Sequence, residues 1–404
     1  MKMKYNIKNE IKFINLHFLL KNQVRMSEVY INRISSFLPN EPITNDEMEE
    51  YLGVIAGKKS KAKALILRNN KIKTRFYAID KNTGKSTHTN YQLACEAIEK
   101  LLDKDFQKDD IELLACGCVS PDQLLPSHAA MVHGELNCKP VELISVNTAC
   151  CAGIQALKYG YMSVKSESTK NAIAVGSEKV SGWLRADKFS KEAEDLKQIE
   201  ENPYIAFEKD FLRWMLSDGA GAVLMQNKPN KHGLSLRIDW IEITSYANQI
   251  EPCMYAGAEK NNDGKLIGWA EIAPELWTTQ SVFAFKQDTR LLGENIVKLG
   301  GIFWEQVCRK HSLNIDDISY FLPHLSSEFF RMKIHEELIK IGLPIPEEKW
   351  FTNLTKVGNI GCAAPFVMLE ELLNNGKLEK GNVIILMVPE SARFSYAYVK
   401  ITVV

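Results

Sequence analysis

Ser145-Val-Asn-Thr-Ala-Cys-Cys-Ala-Gly-Ile-Gln-Ala-Leu157 is the segment where a run of β-formers stops and a run of small helix-formers begins. The spacing predicts a strand over residues 143–146 and a long helix over 148–165. A cysteine at such a junction lies at the positive end of the helix dipole, which favours thiolate over thiol. Small neighbours let a second group approach the sulfur. Cys150 and Cys151 also read as small buried hydrophobes, so the segment alone leaves a nucleophile and a core residue both open.

The same alternation continues on either side. Residues 29–34, 110–119 and 171–177 read as strands, and residues 46–52 and 90–102 as helices. This β–α order implies mostly parallel strands covered on both faces. The chain also repeats itself weakly. Residues 147–157 lie on residues 359–369 with four of 11 positions identical, at an offset of 359 − 147 = 212. That offset pairs Glu178, after one strand, with Glu390, after another (390 − 178 = 212). We read two halves of one α/β design, 26–229 and 230–404, divided near the exposed connection 227–233.

Two later segments bear on the cysteines. Tyr320-Phe-Leu-Pro-His324 ends an apolar run in Pro-His, which puts a histidine at the carboxyl end of a strand, where open α/β sheets build their sites. Lys356-Val-Gly-Asn-Ile-Gly-Cys-Ala-Ala-Pro365 puts Asn359 in a turn before a helix, at the repeat equivalent of the cysteine region. A satisfied core histidine and a helix cap are the plainer readings. Together, the three segments fall at matching strand-to-helix junctions.

Composition narrows the class. Lys plus Arg is 50 and Asp plus Glu is 50, with 45% hydrophobic and 25% charged residues. That balance is that of a soluble globular protein and argues against a nucleic-acid partner. Nine cysteines cannot all pair, no C-x-x-C occurs, and nothing has the spacing of metal ligands. Reduced thiols suit a cytoplasm. Residues 1–25 read as a loose extension, with Met26 an alternative start. Their apolar run is too short for a signal peptide or a membrane span, which needs about 20 apolar residues.

At this point the sequence resembles the thiolase superfamily, nearest the β-ketoacyl-acyl-carrier-protein synthase III group of condensing enzymes, over residues 28–404. The motifs that carry the resemblance are Cys150-Cys151-Ala152-Gly153, Asp218-Gly-Ala-Gly-Ala222, Leu322-Pro-His324, and Gly358-Asn359 with Pro365. Ser36-Phe-Leu-Pro39 and Thr44-Asn45-Asp46 match N-terminal segments of the family. The resemblance implies an α/β, thiolase-like duplicated fold, layered αβαβα with two mixed sheets. It implies a Claisen-type acyltransferase in which Cys151 carries the acyl group, its N–H helps hold the oxyanion, and His324 and Asn359 hydrogen-bond an enolate. Substrates would be thioesters of coenzyme A or acyl carrier protein, with no bound cofactor, and the enzyme would be a homodimer.

Departures from the family pattern are informative. Leu325-Ser326-Ser327 follows His324, where the family has Gln-Ala-Asn, and Pro389-Glu390-Ser391 replaces a Gly-rich loop. A backbone N–H near Ser391 is therefore the candidate second oxyanion donor. Insertions around residues 57–63 and 185–202 should reshape the substrate entrance. These features resemble the branch that builds dialkylresorcinol precursors, in which a 3-oxoacyl thioester is the carbon nucleophile and a cyclic dione can close. Phe207, Phe211, Trp214 and Met215 are candidates for an acyl tunnel, or for the core face of a helix. Arg68, Lys71, Lys73 and Arg75 match a basic segment at the family's cofactor mouth; a solvated basic turn reads as well. Other thiolase-fold enzymes (a thiolase using Cys362, or a hydroxymethylglutaryl-type synthase) and a non-catalytic partner subunit are the alternatives.

Overall fold

The computed structural model describes residues 26–57, 60, 62–189 and 211–404. The extension 1–25, Phe207 and parts of both insertions lie outside the described residues. Nine strands form one sheet: β1 (Tyr30–Phe37), β2 (Leu113–Cys118), β3 (Glu142–Asn147), β4 (Asn171–Glu178), β5 (Gly219–Gln226), β6 (Leu236–Ser245), β7 (Ile318–Pro323), β8 (Val383–Glu390) and β9 (Ser395–Val403). Their order is β7-β8-β9-β6-β1-β5-β4-β2-β3.

The expected two mixed sheets are present as two mixed halves, β1-β5-β4-β2-β3 and β7-β8-β9-β6. A short pairing of Tyr30 with Arg237 and Ile31 with Leu236 joins them. Parallel pairing is confined to β2–β3, β2–β4 and β7–β8. The other five neighbours are antiparallel. The expectation of mostly parallel strands is therefore corrected: strands that follow a helix run parallel, whereas β5 and β9 return beside β4 and β8.

Among the described residues, the longer helices that cover the sheet are α1 (Asn90–Glu99), α2 (His128–Leu136), α3 (Ala152–Lys165), α4 (Thr289–His311), α5 (Phe329–Lys340) and α6 (Ala364–Asn374). Alternating strand residues point to opposite faces, and the core divides accordingly. Ala172 and Ala174 of β4 face the central layer with Ile154 and Leu157 of α3. Ile173 and Val175 face outward to Leu93 and Ile98 of α1 and Val132 of α2. In the other half, Ile384, Leu386 and Val388 of β8 join the same central layer with Leu369 and Leu372 of α6. Ile385 and Met387 face Leu299, Phe303 and Trp304 of α4. The result is helix, sheet, helix, sheet, helix, with α3 and α6 in the middle.

The central helices start close together. α3 begins at Ala152, later than the expected Thr148. The Thr148 hydroxyl and the Cys151 N–H both bind the Glu390 carboxylate, at 2.8 and 3.0 Å, which holds these residues in a turn. A Cβ on Gly153 would lie 2.3 Å from the Cys362 carbonyl oxygen and 3.2 Å from the Phe366 ring. Only glycine lets the two helix starts approach this closely. Gly153→Ala is therefore expected to cost about 1–3 kcal/mol of overpacking strain. This should appear as a lowered thermal midpoint; an unchanged midpoint would rule out the close approach.

Candidate active site

The β3–α3 turn separates the two cysteines. Cys151 is fully buried, and its thiol donates to the Val388 carbonyl at 3.4 Å. Cys150 is half-buried and lines two adjoining cavities. Cys150 therefore lines the cavities, whereas Cys151, the expected acyl carrier, is not among the residues that line them. The Cys151 N–H, expected to serve an oxyanion, is already donated to Glu390.

His324 follows the last residue of β7, and its N–H donates to the Met387 carbonyl at 2.8 Å. The side chain lines the second cavity, and its buried Nε2 has no partner. Asn359 is pinned on both sides: its N–H donates to the Met215 carbonyl at 3.0 Å, and its carbonyl accepts from Ser217 N–H at 2.9 Å. Its Oδ1 accepts from Gly361 N–H at 3.0 Å. With the oxygen so held, the Nδ2 donors are left for the first cavity, which Asn359 lines. Gly361, at φ 52°, makes the left-handed turn that brings its N–H back to this oxygen.

Ser391 lines both cavities. Its hydroxyl donates to Gln287 Oε1 at 3.1 Å, while Gln287 Nε2 donates to the Cys253 carbonyl at 3.1 Å. The Ser391 hydroxyl also lies 3.9 Å from Met254 Sδ, so its hydrogen bonds run within the cavity wall. Glu178, at the end of β4, lines the first cavity. Its carboxylate accepts from Val119 N–H at 3.1 Å and from the Ser120 hydroxyl at 2.7 Å. Glu178 and Gln287 were not among the expected site residues. The 212-residue offset that pairs Glu178 with Glu390 was the available signal for the first; Gln287 has none.

The electrostatics differ from a simple helix-start thiolate. Burial pushes the Cys150 thiol far above its usual range, and the Glu390 and Glu178 carboxylates push it further. Burial and Glu390 do the same to Cys151. About half a positive charge at a helix start does not offset desolvation plus two carboxylates. Burial also raises Glu178 to about 7, against the hydrogen bonds from Ser120 and Cys362.

The first cavity is about 50 Å³ and the second about 30 Å³. They share Cys150, Leu292, Ser326 and Ser391 and then diverge. Phe211, Met215 and Phe285 wall one arm; Ile296, Phe330 and Ile334 wall the other. Of the expected tunnel residues, Phe211 and Met215 are present, whereas Trp214 is sealed in the core between Lys63 and Arg213, each 4.9 Å from its ring.

Among the basic residues, Arg68, Lys71 and Lys73 are exposed. Arg75 is not: it is fully buried, with its guanidinium donating to Asn45 Oδ1 at 2.8 Å and to the Trp214 carbonyl at 3.3 Å. Its place on the short strand Thr74–Arg75 turns it inward, which removes it from the mouth. The exposed turn is tied to both site loops. Lys73 N–H donates to the Thr355 carbonyl at 2.8 Å, and the Asn70 carbonyl accepts from Glu328 N–H at 3.3 Å. Among the described residues no group of three or more His, Cys, Asp and Glu has the geometry for a metal ion, and no helix is long and apolar enough to cross a membrane.

Residues 308–390 match the family described as 3-Oxoacyl-[acyl-carrier-protein (ACP)] synthase III C terminal. The β-ketoacyl-[acyl-carrier-protein] synthase III of Clostridium perfringens (strain SM101 / Type A) is 26% identical over 87% of this chain and 92% of its own. Two solved structures share the fold. A tetronic acid condensing enzyme, AbyA1, has a TM-score of 0.69 at 18% identity, covering 93% of this chain and 99% of the other. OleA of Xanthomonas campestris with bound lauric acid and lauroyl-CoA has a TM-score of 0.68 at 19% identity, with the same coverage.

Burial holds the His324 imidazole down to about 4 from its usual 6.5. Between those values the unfolded chain binds a proton that the folded chain refuses, so this contribution to stability is full above pH 6.5 and falls toward pH 4. His128, also lowered to about 4, acts in the same window. His324→Gln should therefore reduce, without abolishing, the acid loss of unfolding free energy measured by urea titration between pH 7 and 4. An unchanged slope would mean that the folded protein admits the His324 proton.

Proposed function

From the premise that this chain belongs to the thiolase superfamily, among condensing enzymes of the 3-oxoacyl-[acyl-carrier-protein] synthase III type, we propose that Cys150 is its acyl carrier. Its reaction class is acyl transfer. The observation that supports this assignment is that Cys150 lines both of two adjoining cavities, one of which Asn359 also lines and the other His324, whose buried Nε2 is unpartnered. The Cys150 thiol attacks the carbonyl of an acyl thioester of coenzyme A or acyl carrier protein. Because the thiol pKa is raised, the proton leaves as the bond forms, through the neutral His324 imidazole to the departing thiol. The second thioester then supplies a carbanion. His324 Nε2 and Asn359 Nδ2 donate to its enolate oxygen, and its α-carbon attacks the acyl group on Cys150.

The two apolar arms support a finer reading, in which both partners carry alkyl chains: an acyl group on Cys150 and a 3-oxoacyl thioester, leading to a cyclic dione or resorcinol precursor. Exposed Arg68, Lys71 and Lys73, held against the His324 and Asn359 loops, fit the acidic phosphopantetheine or its carrier. β3 is the last strand of the sheet, with Leu143 37% exposed, and an open edge of this kind suits a second copy of the chain.

Acyl-CoAs of two to twelve carbons, followed by mass analysis of the intact protein, test the assignment. Cys150→Ala should take up no acyl group, while Cys151→Ala, if folded, still loads; the reverse result would return the role to Cys151. Asn359→Ala should load but lose condensation by about 10²-fold or more, whereas His324→Ala should slow both loading and condensation. Cavities of about 50 and 30 Å³ hold only a few atoms, so long chains must displace side chains. Phe211→Ala should therefore shift loading toward longer acyl-CoAs, and an unchanged chain-length profile would remove Phe211 from the acyl arm.

A further inference from the structure

Glu178 is a carboxylate in a chamber that the mechanism above leaves without a base for carbon. It lines the same cavity as Cys150 and Asn359 and is 1% exposed. Val119 N–H, the Ser120 hydroxyl and, at 3.5 Å, Cys362 N–H hold its oxygens. None of these donors is a cation, so nothing in that set neutralises its charge. The thiols of Cys118, Cys150 and Cys362 also feel its charge. With burial raising it to about 7, both its carboxylate and its acid forms are accessible near neutrality.

The two possible carbon nucleophiles place opposite demands on this chamber. A malonyl unit makes its carbanion by losing carbon dioxide and needs no base. It also brings a second carboxylate beside Glu178, and like charges in a buried site repel strongly. A 3-oxoacyl thioester brings no charge. Its α-carbon lies between two carbonyl groups and must surrender a proton to a base. Resting on the acyl-transfer reading above, we propose that Glu178 is a catalytic base that removes the α-proton of a 3-oxoacyl thioester, so that the enzyme condenses without decarboxylation.

The steps balance. The α C–H bond breaks, its electron pair becomes the enolate, and the proton lands on Glu178. The α-carbon forms a bond to the carbonyl carbon of the Cys150 thioester. The C–S bond breaks, and its pair returns to the Cys150 sulfur. That thiolate, in a site that raises its basicity, takes the proton from Glu178, which restores thiol and carboxylate.

The test uses whichever acyl-CoA loads Cys150 of the unaltered protein, with 3-oxooctanoyl-CoA, acetoacetyl-CoA or malonyl-CoA as the second substrate. Condensation with a 3-oxoacyl-CoA should exceed that with malonyl-CoA at least tenfold. Glu178→Gln should load Cys150 at least as fast as the unaltered protein and lose condensation by about 10²–10⁴-fold, while Glu178→Asp keeps part of it. Faster product formation from malonyl-CoA, or a Glu178→Gln protein condensing within threefold of the original, overturns the proposal. So does parallel loss of loading and condensation in a folded Glu178→Gln protein, which marks a purely structural role. Should Glu178→Gln fail to fold, the substrate comparison on the unaltered protein decides. Failure of any acyl-CoA to load Cys150 would overturn the acyl-transfer reading, a result distinct from all of these.

Discussion

Two buried carboxylates cross between the halves of the molecule, and the site depends on that exchange. Glu390, at the end of β8, accepts from Thr148 and Cys151 at the start of α3. Glu178, at the end of β4, reaches Cys362 N–H near the start of α6 while binding Val119 and Ser120. A helix start leaves N–H groups unpaired and carries partial positive charge, so a carboxylate there satisfies both needs. Burying the carboxylate costs free energy, and the hydrogen bonds offset that cost only while both halves are in register. Each half thereby fixes the turn on which the other's functional residues stand.

This arrangement also sets the chemistry of the sulfur. Glu390 consumes the Cys151 N–H that would otherwise face an oxyanion, and both carboxylates hold Cys150 as a thiol. His324 is kept neutral by burial. The two polar side chains that line the cavities are fixed by backbone contacts: Met387 holds His324, while Met215, Ser217 and Gly361 hold Asn359. Preorganisation of this kind precedes substrate, so little reorganisation is required when charge develops.

Local pattern was enough to read β2, β3 and β4 and the three junctions that carry Cys150, His324 and Asn359. Hydrophobic periodicity reports burial and says nothing of direction, which is why β1 was not recognised as antiparallel, while β6 and β9 were not read as strands at all. The surroundings of Cys150 and Cys151 were illegible for a different reason. They include Glu390, 239 residues beyond Cys151, whose carboxylate takes the Cys151 N–H. Arg75 failed similarly: four basic residues in one short run look alike in sequence, and only the pairing of Arg75 with Ile43 sends that one inward.

The duplication sharpens the functional assignment, because equivalent positions have met different fates. Cys362 is the repeat counterpart of Cys150 (362 − 150 = 212). Its thiol donates to the Gly117 carbonyl at 3.2 Å, and its own carbonyl is packed so tightly that a Cβ on Gly153 or Gly176 would lie 2.3 or 2.5 Å away. A sulfur sealed in this way is poorly placed to shuttle protons for a degradative thiolase reaction. Cys150 instead lines both cavities with Ser326, Ser391 and Leu292. One copy of the junction thus closes the central layer, while the other borders the cavities.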